Sequence, residues 1–296
     1  MDRVRCEAAA KINLHLEVLG RRSDGFHELR TLFASIDLRD ELLAERLDDG
    51  RLELVVEPEG SAPSGPDNLV LRAARELRGA AGTGSGARLV LHKRIPAGAG
   101  LGGGSADAAA ALVLLSALWE VDLEPEETWR MAAGLGSDVP FFLTGGLALG
   151  VGRGDEVVPL PDPAGEVHLA VAWPGVAVST PEVYGRLEAP LTWRAPEVTV
   201  RMAAAGGAVP PDAQWMRNDL EPVVLAGWPQ VAAIREAMTA TEYGAVRVTG
   251  SGGAVFGVFG SRREAEVAAR RALAAGAAAA HVGRTLGREE ARIRAL

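Results

Sequence analysis

Pro96-Ala97-Gly98-Ala99-Gly100-Leu101-Gly102-Gly103-Gly104-Ser105-Ala106 places five glycines in the seven positions 98 to 104 and runs into an apolar helical stretch, Ser105 to Glu120. A plain turn needs one or two glycines. Five remove the Cβ atoms that keep a bulky ligand off the backbone. The first turn of the following helix carries unpaired N–H groups, and its dipole favours an anion. Together these features predict a phosphate cradle. It is not a Walker loop, because no Lys-Ser or Lys-Thr follows the glycines. Gly98, Gly100 and Gly103 satisfy G-x-G-x-x-G formally, yet His92-Lys93-Arg94 replaces the apolar strand a dinucleotide fold requires before it.

Outward from the loop, strands and helices intermix without regular βαβ repetition. Val4 to Glu7, Ile12 to Val18, Leu29 to Ile36, Leu52 to Val56 and Ala87 to Leu91 read as strands. Asn68 to Leu77 and Pro125 to Ala133 read as helices, the second closed by a left-handed Gly134. Phe141 to Val151 with Glu156 to Leu160 is expected as a hairpin. Pro161-Asp162-Pro163-Ala164-Gly165 marks a domain boundary. Beyond it, Val167 to Trp173, Ala245 to Thr249 and Ala254 to Phe259 are strands, and Pro222 to Thr239 and Arg262 to Ala275 are helical.

Composition narrows the class. The 296 residues suggest roughly two domains, and 48% hydrophobic residues supply ample core. A net charge of −8 argues against broad nucleic-acid binding. The single cysteine, Cys6, cannot form an internal disulfide or a multi-thiolate metal site, and is expected to be a half-buried strand residue. No apolar segment follows Met1-Asp2-Arg3-Val4-Arg5, and the longest apolar helical run, Ala108 to Trp119, is short of the roughly 20 residues a membrane span needs. The expectation is a soluble cytoplasmic protein bound to neither membrane nor nucleic acid.

Three further places carry candidate chemistry. Lys11 stands among Ala8-Ala9-Ala10 and Ile12, where its ammonium could reach over small residues into a cleft; an ordinary surface lysine with a buried stem is the plainer reading. Asp138, in Gly136-Ser137-Asp138-Val139-Pro140, is a general base, a metal ligand or a turn residue, and spacing alone favours the turn. Thr249-Gly250-Ser251-Gly252-Gly253 is either a hairpin turn or a second close approach of backbone to ligand.

Taken together, P-x-G-x-G-L-G-x-x-S-A at residues 96 to 106 resembles the signature of the GHMP kinases. Ala10-Lys11-Ile12-Asn13-Leu14 and Gly20-Arg21-Arg22-Ser23-Asp24-Gly25-Phe26-His27-Glu28-Leu29 resemble one branch of that superfamily, whose acceptor is a cytidine diphosphate ester of methylerythritol. Gly136 to Phe142, Asn218-Asp219-Leu220-Glu221 and Thr249 to Phe256 follow in the family's order, leaving only 40 to 66 and 190 to 215 uncovered. The resemblance implies an α+β, two-domain GHMP kinase fold: a ribosomal-protein-S5-like domain, residues 1–160, and a ferredoxin-like domain, residues 161–296, with the active site between them.

It further implies ATP as phosphoryl donor, Mg²⁺ as the expected divalent cation, and the 2-hydroxyl of the methylerythritol unit as acceptor. Lys11 and Asp138 become the catalytic pair. Pro96, Ala97, Gly98, Ala99, Gly100, Leu101, Gly102, Gly103, Gly104, Ser105 and Ala106 become the ATP-binding segment, with Ser105 the one candidate metal ligand. Phe26 and Tyr184 resemble the aromatics that stack on cytosine, and His27 the contact to the base edge. Asn13, Thr180 and Asp138 lie near the acceptor. Phe26 stands where the family usually has tyrosine, and Ser137 where alanine is more usual. A monomer or homodimer fits equally. The alternatives are a homoserine- or mevalonate-type GHMP kinase, or a non-catalytic nucleotide-binding regulator on the same fold.

Overall fold

The computed structural model describes residues 2–162, 165–187, 215–240 and 244–296. Of the expected boundary segment 161–165, positions 163 and 164 lie outside the described residues, as do nearly all of positions 190–215. Two long antiparallel strands open the chain, β1 (Arg3–Arg21) and β2 (His27–Leu47). The two short strands expected before residue 20 are one. Alternation fails in its middle because Ala8 to Val18 is buried throughout. Register shifts after Ala9 and Asn13 turn successive stretches of β1 toward different neighbours. Cys6 and Ala8 enter the first core, Ala10, Ile12 and Leu14 a core between the two sheets, and Leu16 and Val18 the core of the second sheet. Cys6 is fully buried rather than half-buried, and burial pushes its thiol up to about 12, so it is chemically quiet.

β3 (Leu52–Glu57) and β4 (Gly86–His92) pair in parallel, and β4 lies against the second half of β2. β5 (Leu147–Gly152) takes the first half of β2 and forms a hairpin with β6 (Glu156–Pro159). Helices α1 (Leu69–Ala81) and α2 (Gly103–Trp119) cover this sheet. Asn68 caps α1 by accepting the Val70 N–H. α2 is apolar around most of its circumference and mostly buried, with Asp107 its one charged residue, and its alanines at 106 and 108–111 let it lie close on β1.

α3 (Pro125–Leu135) runs one residue past Gly134, which therefore does not end it; Gly136 does, in an extended conformation. Phe141 belongs to a short helix, α4 (Val139–Thr144), so the expected hairpin starts only at Leu147. Phe141 and Phe33 pack ring on ring at 4.8 Å, which shows what that apolar run serves.

The second sheet has β7 (His168–Trp173), β8 (Ala245–Val248), β9 (Val255–Phe259) and β10 (Ala279–Arg284) in the order β10-β7-β9-β8, all antiparallel. Between β7 and β8 lie α5 (Thr180–Gly185), α6 (Glu221–Gly227) and α7 (Pro229–Thr239); α8 (Arg262–Ala274) joins β9 to β10. This is the βαββαβ order of a ferredoxin-like unit. The helix expected over 222–239 is two, because Pro229 starts a new one. α8 begins at a capping box made by Ser261 and Glu264. After β10 the chain returns to the first sheet: Leu286 N–H donates to Ser35 O, and Leu296 exchanges two backbone hydrogen bonds with Arg5. Among the described residues no helix is long and apolar enough to cross a membrane.

The two units meet at their glycine turns. A Cβ on Gly252 would lie 2.1 Å from Gly100 N, and one on Gly100 2.3 Å from Thr249 O. Ala254 N–H donates to Ala99 O at 2.9 Å across the same seam. Gly252→Ala is therefore expected to force the turns apart and to destabilise the protein by about 1–3 kcal/mol in urea denaturation; unchanged stability would mean the seam yields freely.

Candidate active site

A cavity of about 930 Å³ lies along this seam. β1 supplies Lys11 and Asn13, the glycine loop one wall, and the turn before β2 brings Phe26 and His27. Asp138, at the start of α4, closes the floor, while α5 contributes Thr180 and Tyr184. Residues as far apart as Lys11 and Ser251 thus share one space, and all but one of the expected site residues line it. Ala106 is the exception. Its side chain is fully buried in the first core and its N–H is spent on Gly102 O within the helix, so it has nothing to offer a ligand.

Lys11 is the most constrained group. Its side chain is 4% exposed, and its Nζ lies 3.3 Å from Asp138 Oδ2, which is 34% exposed. The plain surface-lysine reading fails, whereas Asp138 does stand in the turn that leads into α4. An ammonium this buried requires paired acceptors, and it has them: Asn13 Oδ1 accepts from Nζ at 2.7 Å, and the Phe33 ring lies beneath at 5.4 Å. Asn13 is in turn held by Thr249, whose hydroxyl accepts the Asn13 N–H at 3.0 Å, and by Thr31, which accepts from Asn13 Nδ2 at 2.7 Å. Asn13 lines the cavity while its carbonyl oxygen is committed to Lys11, and the residue is 2% exposed.

Gly98, Gly100 and Gly102 all adopt left-handed backbone, with φ of 70°, 83° and 72°. The reason for glycine is more specific than ligand access. A Cβ on Gly102 would strike Phe142 and Lys11, and one on Gly103 would strike Ile95 and Lys93, while one on Gly104 would meet only Leu69 at an ordinary 3.6 Å. The loop is packed tightly from behind, so its front remains for a ligand. No side chain caps the first turn of α2 and no acidic residue stands in it, so its leading N–H groups are available to an anion. Lys93 continues behind the loop into a buried contact with Asp40 and Asp107.

At the other end of the cavity, His27 stacks on Tyr184 with ring centroids 4.8 Å apart. The stacked pair is therefore His27 with Tyr184, while Phe26, 51% exposed, sits under the Arg153 guanidinium at 5.0 Å. Burial, aided by Arg21, holds the His27 imidazole below its ordinary range, so it is neutral at neutral pH. Burial likewise keeps the Tyr184 hydroxyl protonated. Thr180 Oγ1 and Ser251 Oγ hydrogen-bond at 2.7 Å, tying α5 to the second glycine turn.

Sequence reasoning missed Arg21, Arg153, Thr31 and the Asp40–Lys93–Asp107 cluster. One signal was there to read: Asp107 is the sole charged residue in an otherwise apolar helix, which implies a buried partner. The Asn218-Asp219-Leu220-Glu221 motif has a structural task. Asn218 Nδ2 donates to Val248 O and Gly250 O, Asp219 Oδ2 accepts the Val18 N–H, and Glu221 Oε2 accepts the Val248 N–H. It fastens the second glycine turn to β1.

The chain matches the model of the GHMP kinases N terminal domain over residues 68–146 and that of the GHMP kinases C terminal over residues 212–278. It is 41% identical over 265 residues to the 4-diphosphocytidyl-2-C-methyl-D-erythritol kinase of Halorhodospira halophila, covering 89% of this chain and 87% of that one. A solved 4-(cytidine 5'-diphospho)-2C-methyl-D-erythritol kinase superposes with a TM-score of 0.79 at 39% identity, over 97% of this chain and all of that one. A homoserine kinase from Cytophaga hutchinsonii superposes at 0.74 with 19% identity, over 100% of this chain and 98% of that one, a likeness of fold alone. On sequence identity, coverage and fold together, the chain belongs to the 4-diphosphocytidyl-2-C-methyl-D-erythritol kinase family of the GHMP kinases.

Proposed function

We propose that this enzyme transfers the γ-phosphoryl group of ATP to the 2-hydroxyl of 4-diphosphocytidyl-2-C-methyl-D-erythritol, giving the 2-phosphate and ADP, in the non-mevalonate route to isoprenoid precursors. The observation that carries the reading is the Lys11–Asp138 contact of 3.3 Å on the floor of a cavity with a glycine loop at one end and stacked rings at the other. In this reading residues 1–160 hold the nucleotide and the catalytic pair, and residues 161–296 bring Thr180, Tyr184 and the second glycine turn. The reaction belongs in the cytoplasm, with a monomer or homodimer acting on a small molecule, and neither nucleic acid nor membrane takes part.

Phosphoryl transfer asks mainly for alignment and charge stabilisation. The first turn of α2 and residues 96–105 receive the ATP phosphates through backbone N–H groups. Asp138 accepts the proton or hydrogen bond of the attacking hydroxyl, a tertiary alcohol that needs such help. Lys11, fixed by Asn13 and facing Asp138 at 3.3 Å, offsets charge on the group in flight. Tyr184 and Phe26 present ring faces to the cytosine, and the neutral His27 a ring edge.

Among the described residues no cluster of three His, Cys, Asp or Glu side chains could hold a metal by itself. Ser105 and Asp138 nevertheless place two oxygen donors on the cavity wall. That set suits Mg²⁺, which takes one or two protein oxygens and completes its shell from phosphates and water. It would supply neutralisation of phosphate charge.

A coupled ADP-release assay tests the reading, with the cytidyl substrate, homoserine and mevalonate compared under Mg-ATP. Turnover on the cytidyl substrate alone is expected. Turnover only on another alcohol would discard the aromatic pocket, and ATP binding without turnover would make the chain a nucleotide-binding regulator. Asp138→Asn is expected to cut kcat by about 10²–10⁴-fold while ATP affinity holds; a near-normal rate would remove Asp138 from the chemistry. Tyr184→Ala should weaken the cytidyl substrate by about 1–3 kcal/mol and leave ATP unaffected, and equal losses on both would defeat the stacking assignment.

A further inference from the structure

Behind the glycine loop, outside the cavity, one ammonium is shared by two carboxylates. Lys93 Nζ donates to Asp107 Oδ2 at 2.8 Å and to Asp40 Oδ2, and the three residues are 8%, 3% and 1% exposed. The three come from different elements. Asp40 is on β2, Lys93 follows β4 directly, and Asp107 lies in the second turn of α2. Asp40 does more than neutralise charge, since its Oδ1 accepts the N–H groups of Arg94 at 2.6 Å and Ile95 at 2.9 Å, the two residues that lead into the loop. At the loop's exit, a Cβ on Gly103 would stand 3.0 Å from Lys93 Nζ, so the ammonium lies directly under the first residue of α2.

The loop is therefore held at both ends by one buried charge cluster. Asp40 fixes the entry and Asp107 the helix at the exit, with Lys93 joining them. The cluster also bears a cost. Asp107 Oδ1 is buried without a hydrogen-bond partner among the described residues, and a buried ion group is a poor source of stability compared with apolar packing. What it offers instead is direction, because three hydrogen-bonded partners allow one arrangement where apolar side chains would allow several.

We infer that Lys93, clamped by Asp40 and Asp107, is a positioning residue for the nucleotide phosphates: it sets the backbone of residues 94–103 before ATP arrives. The inference rests on the reading of this loop as the ATP site. It deepens that reading by assigning a role to three residues that touch neither substrate. A loop ordered in advance binds more tightly because less freedom is lost on binding.

The test uses the full-length protein, with calorimetric titration of Mg-ADP and steady-state KM values for ATP and the cytidyl substrate. Lys93→Met is the direct variant; because it strands two buried carboxylates and can fail to fold, Asp107→Asn, equal in shape, is made beside it. In the folded variant, Mg-ADP affinity should fall and KM for ATP rise roughly ten- to a hundredfold, with KM for the cytidyl substrate changed less than about twofold. Unchanged nucleotide affinity in folded Asp107→Asn overturns the inference, and so does equal weakening of both substrates, which marks general loosening. Wild-type protein that binds no Mg-ADP overturns the ATP-site reading itself, an outcome visible before any variant is compared.

Discussion

Backbone packed on backbone, with no side chain between, holds the cavity in shape. Gly100 and Gly252 approach so closely that a methyl group on either would overlap main-chain atoms of the other turn. Each turn is fixed independently. The first is tied behind by Asp40 to the N–H groups of Arg94 and Ile95, and the second by Asn218 to the carbonyls of Val248 and Gly250. The seam then joins two sheets that otherwise meet through apolar side chains such as Ile12, Ile36, Leu101 and Phe256. Such packing between large side chains would tolerate small shifts. A main-chain seam does not, and a cavity built along it inherits that rigidity.

β1 serves this arrangement by changing partners along its length. Its register shifts let one strand face three cores in turn, which leaves Lys11 and Asn13 pointing into the cavity from the middle of an otherwise apolar run. Holding an ammonium there is costly unless every neighbour helps. Asn13, Asp138 and the Phe33 ring do so, and Thr249 and Thr31 hold Asn13 in place. The charge opposite the glycine loop is thereby located by side chains from both halves of the chain, so neither half could present it alone.

The glycine-rich loop illustrates how one composition can answer to two physical demands. Its composition predicts a phosphate site because bare backbone admits a ligand. In the folded protein most of its glycines are required by contacts on the other side: Gly100 against the second turn, Gly102 against Phe142 and Lys11, Gly103 against Ile95 and Lys93. Both requirements act together. The loop is pressed from behind so that its N–H groups can face forward, and the uncapped first turn of α2 supplies the remaining donors.

The sequence by itself determined the family, most of the helices and strands, and about half of the residues around the cavity. The glycines at 98 to 104 are written in local composition, whereas Lys11, Asp138, Phe26 and His27 were marked only by the family resemblance, since spacing alone favours a surface lysine, a turn and packing aromatics. Tertiary structure decided what those residues touch. That His27 stacks on Tyr184 and that Asp107 finds Lys93 depend on pairings across 157 and 14 positions, while the contact of Asn13 with Lys11 and the burial of Ala106 depend on which side of each element the fold covers. The continuous β1, the helix at Phe141 and the return of Leu296 to Arg5 were hidden for the same reason. Periodicity records which side of a segment is covered, whereas a strand buried on both faces, or a charge neutralised from a distant element, carries no local period to read.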